Sequence, residues 1–154
     1  MPLNVGGGRW RYSIHAEIGI DMSVFPSAGH LLSWAGLCPR LDESAGKRRS
    51  TRTRQGAPWL KTTLVQIAWS AARKKNSYFH AQFLRLKSRR GPKKAILAVA
   101  ASMLTDVYYM LRDGVEFHDL GDQYFMQRDK AQVTKRLIQR LRDLGVDVEV
   151  KNAA

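Results

Sequence analysis

The chain has 154 residues, 44% of them hydrophobic, and sets 26 Lys and Arg against 13 Asp and Glu, for a net charge of +13 and a pI of about 10.4. Those totals fit one folded domain with a modest core and exclude a disordered chain. A lone cysteine, Cys38, excludes an internal disulfide and a thiolate metal cage, and no uncharged apolar run is long enough for a membrane span.

Met1 to Arg11 is Gly-rich and aperiodic, so residues 1–15 are expected to be a poorly ordered arm. The arm lacks the apolar core of a secretory signal, which makes a cytoplasmic location the expectation. Ile14 to Ile20 suits a short helix or an extended segment, and the pattern does not choose between them. Pro26 breaks the chain, and Ser27 is placed to cap a two-turn helix through Trp34 that Gly36 ends. Leu31, Leu32 and Trp34 are its expected buried side.

Leu37 to Ala57 is a polar, basic loop. Pro58 then opens a helix at the position where a missing N–H costs nothing. Leu60, Leu64, Ile67, Ala68 and Ala71 share one face by the three-four rule. Ser77 is expected to cap a second helix, Tyr78 to about Lys87, with Phe79, Phe83 and Leu86 inward. A basic turn, Ser88 to Lys94, leads into the most apolar helix, Lys93 to Arg112. Its longest apolar window, Ala95 to Met110, contains Asp106. A helix apolar nearly all round is usually central.

Asp113-Gly114 ends that helix, and Val115 to Phe125 is a loop anchored by Phe117, Tyr124 and Phe125. Asp129 is placed to cap a last helix to Leu144, with Val133, Leu137, Leu141 and Leu144 as a narrow apolar stripe. Val146, Val148 and Val150 suit a short extended tail. The fold class expected is all-α: a compact domain of four to five helices with a C-terminal helix and short tail. The divisions are 1–15, 16–119 and 120–154.

The charge excess points to a polyanion, and to nucleic acid before membrane. Two basic clusters carry that reading. Lys47, Arg48, Arg49, Arg52 and Arg54, with Lys61 beyond them, form the first. The second runs from Arg85 to Lys94, with Arg89, Arg90, Lys93 and Lys94 as its candidate contacts. Guanidinium forks match phosphate oxygens, and fixed cations stabilise charge building on a phosphoryl group. Ser44 lies within reach of Lys47, Arg48 and Arg49, which makes it the candidate nucleophile; the plain alternative is a serine in a solvated loop. Trp34 and Trp69 fall on apolar faces and are assigned to the core, whereas Trp59 beside the loop is a candidate for base stacking. His15, His30, His80 and His118 lack metal-ligand spacing. Asp21, Asp42, Glu43, Asp106 and Asp113 are too scattered for a Mg²⁺ site, so no metal or cofactor is expected in this chain. Asp42 and Glu43 are expected to pair with nearby arginines.

The runs FPSAGHLLSWAGLCP, ESAGKRRSTRTRQGAPWLK, AAR, RRGPKKAI and LRDG, in that order, resemble the C-terminal domain of IS110-type transposases, the IS116/IS110/IS902 group, from about Ala16 onward. The resemblance implies a recombinase in two parts. An N-terminal RuvC-like half would bind Mg²⁺, and a helical domain would supply a serine that attacks DNA. Some members are directed by a guide RNA from the element itself. The family's serine falls on Ser44, in Glu43-Ser44-Ala45-Gly46-Lys47. The family's Lys-x-Gly-x-x-x-Leu-Arg pattern resembles Arg54 to Lys61, with both charges kept and Pro58 as a departure. No RuvC-like half is recognisable in this sequence. The expectation is therefore a truncated chain, inactive alone, that binds DNA. The other readings are a non-catalytic nucleic-acid-binding module and a helical assembly domain that forms a homo-oligomer through the last helix.

Overall fold

The computed structural model describes residues 14, 16–39, 42–44, 46–50, 52–53, 55–128 and 130–146, with the backbone alone at 42–44, 48–50 and 131–132. The elements in order are helix α1 (Ala28–Trp34), strands β1 (Asp42–Ser44) and β2 (Lys47–Ser50), and helices α2 (Pro58–Arg73), α3 (Tyr78–Arg90), α4 (Pro92–Asp113), α5 (Tyr124–Arg128) and α6 (Lys130–Asp143). A single 3-10 turn, Met22–Val24, precedes α1. The domain is all-α apart from one small hairpin.

The centre is α4, as its all-round apolar pattern requires. It packs on α1, α2 and α3 and buries Val99, Ala100 and Leu104 completely. By length and composition it is the one helix among the described residues that could cross a membrane. Three helices cover it here instead. Facing it, α2 buries Leu60, Leu64, Ile67, Ala68 and Ala71, the five residues its periodicity selects. Phe79 and Phe83 do the same for α3. Tyr108 is buried on α4, and its hydroxyl donates to the Phe25 carbonyl at 3.0 Å, which ties the turn before α1 to the core.

The connections fix the directions. Ser77 caps α3, its Oγ accepting from His80 N at 3.3 Å. His80 Nδ1–H donates to the Ala72 carbonyl at 2.6 Å, and Trp69 meets Phe83 edge-on at 5.6 Å. These contacts step symmetrically outward from the α2–α3 turn, so the two helices are antiparallel. A single residue, Gly91, separates α3 from α4. Gln82 Nε2 donates to Ser102 Oγ at 2.8 Å, and the two stand almost equally far from Gly91 in sequence, so this pair is antiparallel too. The start of α2, the end of α3 and the start of α4 therefore share one end of the bundle.

Several expectations change. Residues 14 and 16–18 are helical, which settles the choice left open there. Ile14, on the arm side of the division at 15, is buried with Ile18 in the core. Ser27 does not cap α1 with its side chain; its Oγ pairs with His30 Nδ1 at 2.8 Å. Trp34 and Trp69 are 43% and 38% exposed. Each lies at the margin of the core, with one face on Phe25 or Phe83 and the other in water. The basic turn at 88–94 shrinks to Gly91, because Arg and Lys propagate a helix well and suit the negative end of α3. Tyr124 and Phe125 open the short helix α5 and pack on Tyr78, Tyr124 edge-on and Phe125 stacked. Asp129 and residues 147–154, with the expected cap and tail, lie outside the described residues.

Candidate nucleic-acid interface

The segment between α1 and α2 is a hairpin, not an irregular loop. β1 and β2 pair antiparallel, with Asp42 opposite Ser50, Glu43 opposite Arg48 and Ser44 opposite Lys47. A bulge between Asp42 and Glu43 shifts the register. The Ser44–Lys47 pair closes the tip, and Gly46 there has φ +73°, a left-handed conformation common in tight hairpin turns. An isolated bridge between Pro39 and Thr53 continues the pairing below the strands. Among the described residues, β1 and β2 pack on each other and on no other helix or strand. The hairpin stands off the bundle.

Its base is clasped. A Cβ on Gly56 would overlap the backbone of Trp34, Ala35 and Gly36, so the chain returning from the hairpin presses directly on the end of α1. Ala57 N donates to the Trp34 carbonyl at 3.4 Å beside this contact. Lys61, half-buried in the first turn of α2, donates from Nζ to Thr53 Oγ1 at 2.7 Å. One expected phosphate ligand is thus also a strut between hairpin and helix.

Of the other expected cations, Lys47 and Arg52 are exposed, Arg48 and Arg49 belong to β2, and Arg54 lies outside the described residues. Arg89, Arg90, Lys93 and Lys94 are all exposed around Gly91. Helix directions bring this second cluster to the end of the bundle where α2 begins and the hairpin is attached. Arg136, which lies in neither expected cluster, joins Arg85 and Arg89 in lining a groove of about 490 Å³ between α3, α5 and α6. Arg85 also lies over the Phe125 ring at 5.1 Å. No sequence signal pairs Arg136 with Arg85, because the two helices meet only as opposite walls of this groove.

A second cleft, of about 360 Å³, carries Asp106 and Glu116 beside Tyr78 and Tyr109 and has no Lys or Arg in its lining. Burial pushes the Asp106 carboxyl up to about 6. Such a cleft repels phosphate. Asp119, which the sequence does not single out, accepts from Tyr78 N at 2.9 Å and Gly121 N at 3.0 Å, and so fastens the segment after α4 to the start of α3. Among the described residues, no three His, Cys, Asp or Glu side chains converge as a metal site.

A family model described as Transposase IS116/IS110/IS902 family matches residues 7–84, half of the chain. The match takes in α1, the hairpin, α2 and α3 to Leu84. It starts ahead of Ala16, and RRGPKKAI and LRDG fall beyond it. No curated protein and no solved structure matches. A motif series that runs through the clasped hairpin, and a family match over the same elements, agree: the chain belongs to the IS116/IS110/IS902 family of transposases.

Proposed function

We propose that this chain is a DNA-binding transposase domain in which Ser44 is the nucleophile for strand exchange. The observation that carries the reading is the pairing of Ser44 with Lys47 at the tip of a basic hairpin that is clasped at its base and otherwise stands off the bundle. On this reading a phosphodiester reaches the hairpin tip without rearrangement of the core, and the basic residues of the hairpin offset charge on the phosphoryl oxygens. In the step, a bond forms from Ser44 Oγ to phosphorus and one phosphorus–sugar oxygen bond breaks. The proton from Ser44 leaves, and the departing sugar oxygen takes one up. Arg89, Arg90, Lys93 and Lys94 hold the flanking phosphates.

The test supplies the family's Mg²⁺-binding half in trans and separates protein–DNA adducts under denaturing conditions. Ser44→Ala is expected to bind a DNA duplex as the parent does and to form no adduct. Persistence of the adduct in Ser44→Ala would remove Ser44 from the mechanism. A second reading, a non-catalytic binding module, predicts no adduct from either protein.

A further inference from the structure

We infer that the Trp59 indole is a stacking platform for an unpaired nucleobase at the hairpin end of the bundle. The inference rests on the nucleic-acid reading above and adds what that reading lacks. Cations hold phosphates, whereas a ring contacts the base itself.

Trp59 is 80% exposed, the most exposed large hydrophobic side chain among the described residues. The exposure is not a failure of α2 to bury its apolar residues, since Leu60 and Leu64 beside it are fully covered. Nor is Trp59 the rim of an apolar docking face. The next residues on its side of the helix, Thr62 and Gln66, are exposed and polar. A protein partner would need that surface to continue; a single base needs one ring.

The surroundings select a polyanion. Pro58–Arg73 contains no Asp or Glu. Ala57 provides no side-chain cap, so no side chain of the capping residue offsets the positive end of α2 next to Trp59. Exposed Lys93 and Lys94 lie at the same end of the bundle. The backbone under the indole is anchored. Trp59 sits between the Ala57–Trp34 bond and the Lys61–Thr53 bond, directly after the Gly56 clasp. A side chain carried on an anchored backbone leaves less of the chain to order when a base stacks on it.

Tryptophan fluorescence of the full chain, titrated at low salt with an oligothymidylate of about a dozen nucleotides, tests the inference. An oligomer of equal phosphate count but abasic sugars is the control. The parent is expected to be quenched by oligothymidylate and not by the abasic strand. Trp59→Leu should lose the quench and bind oligothymidylate roughly five- to a hundred-fold more weakly, the usual worth of one base–aromatic stack, with binding of the abasic strand unchanged. Trp59→Phe, which keeps a ring, should recover most of the affinity. If Trp59→Leu binds as tightly as the parent, or the abasic strand binds as well as oligothymidylate, Trp59 is no platform and the nucleic-acid reading stands. If the parent binds neither strand, the platform is ruled out, and binding of a DNA duplex decides the nucleic-acid reading separately.

Discussion

Gly56 occupies a position where any side chain would meet the backbone of Trp34, Ala35 and Gly36. The three atoms it would strike are main-chain atoms at a helix end, which yield far less readily than the tip of a side chain. Gly56→Ala should therefore destabilise the domain by about 2 kcal/mol or more, within the range for overpacking. Urea unfolding followed by circular dichroism reads the loss as a lower midpoint. An unchanged midpoint would mean that the clasp is not closed in solution. The sequence shows a glycine in a family-like pattern at this place. It does not show that Gly36 lies against it, because nineteen residues and a hairpin intervene. Lys61 has the same history: legible as a cation, but only the fold gives it Thr53 as a partner.

Helices α2, α3 and α4 follow from period, cap and breaker, since Pro58, Ser77, Pro92 and Gly114 stand where the elements begin or end. The hairpin is illegible for a physical reason. Lys47 to Ser50 reads Lys-Arg-Arg-Ser, which has no alternation of apolar and polar residues to announce a strand. Backbone pairing around the Gly46 turn forms it without burying an apolar face. At the other end of the chain, α6 packs on α5 and on no other helix or strand among the described residues. Its stripe stays in water, with Leu137 55% exposed. Removing residues 130–154 should leave the thermal midpoint of the remaining domain within about 2 °C of the parent, because no residue of α6 is among the buried core residues described. A fall of many degrees would show that α6 covers part of the core.

The charge of the whole molecule is an additive quantity, and its sign and size need no fold. Its arrangement does. The attachment of the basic hairpin and the second cluster come to one end because α2, α3 and α4 alternate in direction across short links. On the proposed function, affinity for a DNA duplex should fall linearly in log–log form with salt, by about 0.9 per phosphate contact. Lys93→Glu combined with Lys94→Glu should make that slope shallower by roughly two such contacts, measured by fluorescence anisotropy at several salt concentrations. A slope unchanged by the double substitution would take this corner of the bundle out of the interface. Residue order alone sufficed for the helical class, the central place of α4, the family and the basic character, because period, hydrophobicity and charge are summed along the chain. Packing alone decided that Trp59 stays in water while Trp34 and Trp69 reach only the margin, and that Arg136 joins Arg89. Each of these depends on which distant backbone arrives next to it, and no local pattern carries that information.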